Sequence, residues 1–418
     1  MTMTIRFFII AIFLFLIDLY FYQAISLILK ESTAIKKSLA FFIYWGITLF
    51  TFFVLFTYVF LSINDLPKYI RIYLFATLLI LLISKIIGSI FILTDDLIRL
   101  FRWIGSYMVT STKENIVENV HSISRLKFLN QIALGFSLFT FSGLIYGIIK
   151  GAFNYKVHSI KIVLPNLPSA FNGLKIIQIS DIHSGSFVSS SPLEEVVKII
   201  DKQNPDIIFF TGDLVNDRAS ETDLLIEVLS KIKAPLGVYS TLGNHDYGDY
   251  VTWESEIAKT KNLESLKNVH SKIGWKLLMN EHVTIKKNDA EIAIIGIENW
   301  GGNFNFPKYG DLKKAYAGAE NYPVKLLLSH DPSHWNLEVI EKFKNIDITF
   351  SGHTHGAQFG IEIPGFRWSP SQYAYKQWAG LYNQQNQYLY VNRGVGFLGY
   401  PGRIGISPEI TVMELFNS

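Results

Sequence analysis

Five short clusters in the second half of the sequence contain the residue types that bind metal ions. They are Asp181-Ile182-His183, Gly212-Asp213, Gly243-Asn244-His245-Asp246, Ser329-His330 and Gly352-His353-Thr354-His355. Each cluster follows a short apolar run rich in β-branched or aromatic residues, a pattern typical of a buried strand. Because side chains at the carboxyl ends of neighbouring strands converge in open α/β sheets, we expect the clusters to meet in one site.

The donor atoms of these clusters indicate two metal ions. The candidate ligands are Asp181, His183, Asp213, Asn244, His330, His353 and His355. Carboxylates, an amide oxygen and imidazoles without a thiolate suit Zn, Fe or Mn. Seven donors are too many for one tetrahedral ion but fit two divalent ions that share a bridging carboxylate. Because two metals roughly 3.5–4 Å apart can clamp the attacking and leaving oxygens at phosphorus, the sequence predicts phosphoester hydrolysis.

The order of the motifs resembles that of the calcineurin-like metallophosphoesterase superfamily. The order is Asp-x-His, Gly-Asp, Gly-Asn-His-Asp, His and Gly-His-x-His, and it extends over about residues 158–418. This resemblance implies an α/β fold in which two sheets pack face to face with helices outside. It further implies that one metal is held by Asp181, His183 and His355. The other would be held by Asn244, His330 and His353, with Asp213 as the bridge.

The resemblance also implies roles for the two residues that follow Asn244. His245 would lie beside the metals without binding them and protonate the leaving group, or stabilise the transition state. Asp246 would orient His245, as a third group commonly orients a catalytic acid or base. The implied reaction is attack by a metal-bound hydroxide on a phosphodiester, a pyrophosphate or a phosphomonoester.

One branch of the superfamily is similar in more detail, namely bacterial membrane-associated enzymes with the motif Gly-His-Thr-His-Gly-Gly-Gln. Here Ala357 replaces the second glycine of that motif. The segment from Tyr390 to Gly396 resembles the closing strand and glycine turn of this branch. On that basis Arg393 is a candidate phosphate contact.

The first 150 residues predict a membrane region. Four runs are long and apolar enough to cross a bilayer as helices, which needs about 20 residues each. These predicted spans are 7–29, 39–63, 70–93 and 128–149, and residues 151–418 form the predicted catalytic domain. The sequence therefore predicts an integral membrane protein, in the inner or cytoplasmic membrane of a bacterium.

Charge and cysteine content exclude several classes of site. Residues 1–150 hold 13 Lys and Arg against 7 Asp and Glu, while the whole chain has a net charge of +3. Neither half is a polybasic surface, so no specific nucleic-acid partner is predicted. The chain contains no cysteine, which excludes disulfides and thiolate ligands.

Loop charges predict the orientation of the four spans. Five basic residues lie on the side of the N-terminus and the catalytic domain, namely Arg6, Lys68, Arg71, Lys150 and Lys156. Eight lie on the opposite side, namely Lys30, Lys36, Lys37, Arg99, Arg102, Lys113, Arg125 and Lys127. This excess predicts that the catalytic domain lies outside the cytoplasm.

Two ionisable residues fall inside the predicted spans, and they leave alternatives open. Asp18 and Lys85 could mark a proton or ion path, or form a structural pair inside the helix bundle. A path would favour a transporter with an attached hydrolase. A third alternative is a membrane receptor that uses the phosphoesterase fold to bind a ligand without hydrolysing it. Because the ligand set is intact, we favour an enzyme whose substrate is a lipid or another envelope compound.

Three further features of the sequence also carry predictions. Residues 97–120 show apolar positions near helical spacing and predict a helix, either at the membrane interface or in the cytoplasm. Residues 364–378 carry five aromatic side chains and form either a lid for a lipid tail or a loop packed on its own domain. The remaining histidines are predicted to be structural or at the surface, with His334 the one candidate for the rim of the pocket. They are His121, His158, His270, His282 and His334.

Overall fold

The computed structural model describes residues 3–60, 66–108, 125–302, 306–384 and 386–418. The chain divides into two compact units, Met1–Tyr146 and Gly147–Ser418. The first unit is made of long helices, and the second contains all of the metal-ligand clusters. This division lies within a few residues of the boundary that the hydropathy of the sequence predicts.

Four long helices make up the described part of the N-terminal region. They are α1 (Met3–Ile28), α2 (Ala34–Phe60), α3 (Lys68–Met108) and α4 (Arg125–Ile149). Each contains a window long and apolar enough to cross a membrane. Together they give the four predicted spans, although residues 61–63 of the second span lie outside the described residues.

Helix α3 is much longer than the predicted span 70–93. It has 41 residues and continues through Asp95 and Asp96, which both pair with Arg99 one turn later. Acidic and basic side chains three or four residues apart lie on one helix face and stabilise the helix. The first part of the separate helix predicted over residues 97–120 is therefore the end of α3. Residues 109–124 of that prediction, with His121, lie outside the described residues.

Asp18 and Lys85 form an ion pair inside the helical unit. The Nζ atom of Lys85 lies 2.5 Å from Oδ1 of Asp18, and both side chains are buried. The hydroxyl group of Tyr44 donates to the backbone carbonyl of Asp18 at 2.8 Å and lies 3.5 Å from its carboxylate. Asp18 and Lys85 therefore neutralise each other. This arrangement agrees with the structural pair, one of the two alternatives that the sequence left open.

The C-terminal unit alternates strands and helices. Its strands in chain order are β1 (Lys156–Val163), β2 (Leu174–Ile179), β3 (Ile207–Thr211), β4 (Val238–Thr241), β5 (Lys276–Leu277), β6 (Glu281–Lys287), β7 (Ala290–Gly296), β8 (Lys325–Leu328), β9 (Ile348–Ser351), β10 (Ile361–Ile363), β11 (Phe366–Trp368), β12 (Gly380–Gln384), β13 (Gln387–Val391) and β14 (Glu409–Phe416). Its helices are α5 (Ser191–Gln203), α6 (Ile226–Leu229), α7 (Glu256–Lys272), α8 (Leu312–Tyr316) and α9 (Ile340–Lys342).

Among the described residues these strands form two six-stranded sheets and one hairpin. The first sheet has the order β1-β14-β2-β3-β4-β5, the second has the order β12-β13-β9-β8-β7-β6, and β10 pairs with β11 alone. Apolar side chains of both sheets meet in one buried cluster, where the rings of Phe209 and Phe350 lie 5.0 Å apart. Each sheet also packs against the helices outside it, through one further apolar cluster per sheet. The predicted sandwich of two sheets flanked by helices is therefore confirmed.

Candidate metal centre

Every predicted metal ligand follows the carboxyl end of a central strand. Asp181 and His183 follow β2, Asp213 follows β3, and Asn244 follows β4. These three strands are parallel neighbours in the first sheet. In the second sheet β8 and β9 are parallel neighbours, and they are followed by His330 and by His353 with His355. The two sheets thus present all seven side chains at one edge of the sandwich.

The loops that hold these residues are conformationally strained. Five of the seven predicted ligands have left-handed backbone conformations, with φ angles between 49° and 72°. They are Asp181, His183, Asp213, His353 and His355. Residues with a Cβ atom adopt this region at a cost, and such strain is concentrated at functional sites. The left-handed turns direct successive polar side chains toward the same small volume.

Asp181, His183 and His355 form the first group of side chains. Each offers a potential ligand atom, and these atoms lie within 4.8 Å of one another. The Nε2 atoms of His183 and His355 are 3.0 Å apart, and Oδ1 of Asp181 is 3.3 Å from Nε2 of His355. All three side chains are buried. This is the set that the sequence assigned to one metal.

The second group contains Asp213, His330 and His353, again within 4.8 Å. Asn244 joins this group because its Oδ1 atom lies 2.7 Å from Nδ1 of His353. The Oδ2 atom of Asp213 is 3.1 Å from Nε2 of His330 in this group and 3.6 Å from Nε2 of His183 in the first. The Asp213 carboxylate therefore lies between the two groups, as a bridging ligand must.

The chemistry of the donor set fits divalent cations. Burial lowers the pKa of His183 to about 3 and that of His353 to about 4, so both imidazoles are neutral and able to bind a metal. Burial opposes protonation of His330 as well, but the negative charge of Asp213 outweighs it and raises its pKa to about 10. The carboxylates in this pocket therefore require a compensating positive charge.

The ring nitrogens of two histidines in the pocket also indicate a cation site. The Nδ1 atom of His183 is buried without a hydrogen-bond partner, and Nε2 of His330 faces the carboxylates of Asp213 and Asp181, at 3.1 Å and 4.0 Å. The other ring nitrogen of His330, Nδ1, lies 2.6 Å from the backbone carbonyl of Thr211 and donates to it. A backbone acceptor on one ring nitrogen fixes the orientation of the ring, so that Nε2 of His330 faces the carboxylates beside which a cation would bind.

His245 lies beside the two groups, but Asp246 does not orient it. The His245 ring centre is 5.0 Å from that of His183, and its Nδ1 atom donates to the backbone carbonyl of Asn216 at 2.8 Å. The Asp246 carboxylate instead accepts hydrogen bonds from the backbone N–H groups of Asp213, Leu214, Val215 and Gly243. The prediction that Asp246 orients His245 is therefore corrected. The Asp246 carboxylate instead holds the loops after β3 and β4 in place.

The phosphate contact predicted for Arg393 does not fit the structure. The guanidinium group is 2 % exposed and pairs with Glu409 at 2.5 Å and with Glu362 at 2.5 Å. Two carboxylates already neutralise this cation, and it is closed to solvent. Arg393 therefore links β14 to the hairpin strand β10, and we correct its role to a structural one.

Two residues around the site were missed by the sequence reasoning. The hydroxyl oxygen of Tyr375 lies 2.6 Å from Nε2 of His353. The guanidinium group of Arg403 is fully buried, lies 3.2 Å from Nδ1 of His355, and donates to the backbone carbonyls of Arg393, Gly394 and Gly396. A lone arginine in the glycine-rich segment 399–405 was the available signal for Arg403.

The aromatic segment 364–378 divides into two parts. Its second part is packed on the domain, because Tyr375 and Trp378 are buried in a cluster with Ala379 and Ile406. Its first part belongs to the β10–β11 hairpin and is largely exposed. His334 is not at the rim of the pocket: it is buried between Ser329 and Glu338, at 2.9 Å and 3.2 Å.

Family models match both units of the chain. The model described as calcineurin-like phosphoesterase matches residues 174–357, and the model described as a probable calcineurin-like phosphoesterase transmembrane domain matches residues 4–152. The uncharacterized metallophosphoesterase YkuE of Bacillus subtilis is 31% identical over 263 residues, which cover 62% of this chain and 84% of that protein. The chain belongs to the calcineurin-like phosphoesterase family.

Other members of this family are similar to the chain over comparable lengths. A transmembrane protein with metallophosphoesterase domain from Danio rerio is 31% identical over 277 residues, or 65% of this chain and 60% of that protein. The UDP-2,3-diacylglucosamine pyrophosphatase LpxG of Chlamydia trachomatis is 30% identical over 301 residues, or 60% of this chain and 86% of that protein. The chain thus spans about 60% of the length of the Danio rerio relative.

Proposed function

We propose that the chain is a membrane-anchored phosphoesterase whose two groups of buried side chains hold two divalent cations. The observation that carries this proposal is the position of Asp213 between the groups, within 3.6 Å of a histidine in each. Asp181, His183 and His355 would hold one ion, and Asn244, His330 and His353 the other. Mn, Fe and Zn all accept this donor set.

Two bound cations would lower the pKa of a coordinated water and offset negative charge on the phosphoryl oxygens. The chain's own residues have separate tasks. Asp213 is anchored by the backbone N–H group of His245 at 2.9 Å, and Asp181 by that of His353 at 3.0 Å. His245 is the proposed proton donor to the leaving oxygen, because its Nδ1 proton is fixed on Asn216 and its Nε2 atom remains for the substrate.

We propose a phosphodiester or pyrophosphate of a lipid or another envelope compound as the substrate class. The chain carries four candidate membrane spans, and one relative carries the name of a pyrophosphatase of an acylated sugar nucleotide. We further propose that the domain lies on the non-cytoplasmic side, in a bacterial inner membrane. A Cys introduced at the exposed Ile257 would be labelled by a membrane-impermeant thiol reagent in intact cells if so.

The function is tested on the full-length chain in detergent, with an aryl phosphodiester, an aryl phosphomonoester and an acylated sugar nucleotide as substrates. Asp213→Asn is expected to lose bound metal and hydrolysis together. His245→Ala is expected to keep its metal, because His245 is not a proposed ligand, and to lose about 10²–10⁴-fold in turnover. Metal content is measured by elemental analysis of the purified protein.

His282→Ala is the matched control, because this histidine lies on β6 and its Nδ1 atom donates to the backbone carbonyl of Ala315 at 3.0 Å. It is expected to keep both metal and activity. An Asp213→Asn protein with the parent's metal content would overturn the dinuclear site. A metal-loaded parent that hydrolyses none of the three substrates would favour the receptor alternative.

A further inference from the structure

The β10–β11 hairpin has one apolar face and one charged face, and the apolar face is the one exposed. Ile361 pairs with Trp368, Glu362 with Arg367, and Ile363 with Phe366. Because side chains alternate along a strand and directly paired residues share a face, one face is apolar and the other is charged. Hairpins at a water-exposed surface normally turn the apolar face inward.

The charged face of this hairpin is the one turned toward the domain. The Glu362 carboxylate lies 2.5 Å from the guanidinium group of Arg393, which is buried in the domain. The Arg367 guanidinium lies 4.9 Å from the ring centre of Trp378, another buried residue. These two contacts set the charged face of the hairpin against the domain, although Arg367 itself remains exposed.

The opposite face is apolar and open. Its exposed side chains are Phe359 at 46%, Ile361 at 47%, Ile363 at 59%, Phe366 at 52% and Tyr373 at 79%. Trp368 joins them through an edge contact with Phe359 and a hydrogen bond to the hydroxyl group of Tyr373. An exposed apolar patch of this kind marks a surface that binds another apolar phase or partner.

Backbone hydrogen bonds connect the hairpin to the end of helix α4. Its first strand emerges from residues 358–360, and Ile404 bonds to both Gln358 and Gly360 through backbone groups, at 2.8 Å and 2.9 Å. The preceding residue, Arg403, donates its backbone N–H to the carbonyl of Gly147 at 3.1 Å. Gly147 lies in the last turns of α4, inside the candidate span Leu126–Phe153.

A two-residue segment therefore joins the hairpin to the end of the last membrane span. At that end the apolar side chains of Ile149 and Phe153 are also exposed. Residues 150–155 separate α4 from β1, and six residues span roughly 20 Å at most. This short linker and the Arg403–Gly147 hydrogen bond connect the C-terminal unit to the end of α4.

We propose that the apolar face of the β10–β11 hairpin, with Phe359 and Tyr373, inserts into the lipid bilayer surface beside the end of α4. Interfacial elements of this type bury their apolar side chains about 5–10 Å into the headgroup and acyl boundary. The hairpin follows directly on the loop of His353 and His355, so the contact sets the proposed metal centre at the membrane surface. The proposal does not depend on the chemistry proposed for that centre.

The absence of cysteine from the sequence allows a direct test. In the full-length chain, Ile363→Cys and, separately, Phe366→Cys are labelled with an environment-sensitive fluorophore and reconstituted into phosphatidylcholine vesicles. Ile257→Cys is the matched control, because Ile257 is also an exposed isoleucine of the same domain, on α7, at 70% exposure. Lipids with a spin label near the headgroup serve as quenchers.

Both hairpin probes are expected to lose most of their emission to the spin-labelled lipid, and the Ile257 probe to keep its emission. Adding Glu362→Gln to Ile363→Cys should weaken the quenching, because it releases the hairpin from Arg393. Equal quenching at all three positions, or none at the hairpin, would overturn the proposal. The proposal would also be overturned if the emission of the hairpin probes in detergent depended on protein concentration. A second copy of the chain, and not lipid, would then cover the apolar face.

Discussion

The hydroxyl oxygen of Tyr375 lies 2.6 Å from the Nε2 atom of His353, while Nδ1 of the same ring lies 2.7 Å from Oδ1 of Asn244. One ring nitrogen of His353 thus faces the proposed metal centre and the other is held by a tyrosine. An outer hydrogen bond to a ligating histidine fixes its ring and its tautomer. Tyr375 is therefore a candidate positioning residue for the second metal.

We expect Tyr375→Phe to weaken metal binding about 10–100-fold, because the ring of His353 loses the partner of its Nε2 atom. The unfolding temperature of the metal-free protein should change little, since the aromatic ring remains packed against Trp378. Calorimetric titration of the metal-free full-length chain with Mn²⁺ measures the affinity.

Tyr373→Phe is the matched control for this prediction. Tyr373 lies two residues earlier in the same segment but is 79% exposed, and its hydroxyl group accepts a hydrogen bond from Trp368. Its substitution should leave Mn²⁺ affinity unchanged. Parallel losses in the two variants would show that the segment as a whole, and not the Tyr375 hydroxyl group, supports the site.

Arg403 holds several backbone carbonyls in the interior of the C-terminal unit. Removing a buried donor leaves its acceptors unsatisfied, at about 1–3 kcal/mol for each group. We expect Arg403→Met to lower the free energy of unfolding of this unit by on the order of 3 kcal/mol. Denaturant unfolding followed by tryptophan fluorescence in detergent measures the change.

Arg218→Met is the corresponding control, because Arg218 is exposed and its main contact is the ring of Trp253 at 4.3 Å. A cation–π contact at such a position contributes about 1 kcal/mol or less. If the two substitutions lower the free energy of unfolding equally, the carbonyl contacts of Arg403 add no measurable stability.

The sequence was sufficient to predict that the five clusters meet, because each lies on a loop that directly follows a strand. Position along the chain then specifies position in space, as for Asp213 after β3. Tyr375 and Arg403 could not be found in this way, because they reach His353 and His355 from segments 22 and 48 residues further along the chain. Their residue types carry no metal chemistry of their own.

The hairpin shows a second limit of sequence reasoning. The alternation Ile-Glu-Ile, the Pro-Gly turn and Phe-Arg-Trp specify a hairpin with one apolar and one charged face. Periodicity does not say which face turns inward. That choice depends on Arg393 and Trp378, which accept the charged face in the folded domain.

Ala357 provides a test of backbone strain beside the proposed ligands. It follows Gly356 in the loop after β9 and has φ of 51°, in the left-handed region. A residue with a Cβ atom pays roughly 1–2 kcal/mol there, while a glycine increases the entropy of the unfolded chain by about 0.4–1 kcal/mol. We therefore expect Ala357→Gly to stabilise the domain by about 0.5–1 kcal/mol, measured by denaturant unfolding.

Ala258→Gly gives the opposite sign as a control. Ala258 lies in helix α7, where glycine costs about 0.5–1 kcal/mol relative to alanine. Destabilisation by Ala357→Gly to the same extent as by Ala258→Gly would mean that the left-handed conformation at 357 carries no strain.

His270 predicts how the stability of the domain depends on pH. Its Nδ1 atom lies 2.9 Å from Oγ of Ser240, and burial lowers its pKa to about 3. An unfolded imidazole has a pKa of about 6.5, so below that pH the unfolded chain binds a proton that the folded domain excludes. The stability contributed by the neutral ring is therefore complete above pH 6.5 or so and is lost as the pH falls toward 3, by about 1.4 kcal/mol per pH unit.

The prediction is tested by unfolding the parent and His270→Gln at several pH values between about 7 and 5. Glutamine keeps a partner for Ser240 but does not titrate, so the variant should lose less stability than the parent as the pH falls. Metal loss at low pH affects both proteins equally and cancels in the difference between them. His282→Gln, at a half-buried position on β6, should follow the parent. Parallel curves for the parent and His270→Gln would mean that the buried ring is not the group that couples folding to protonation.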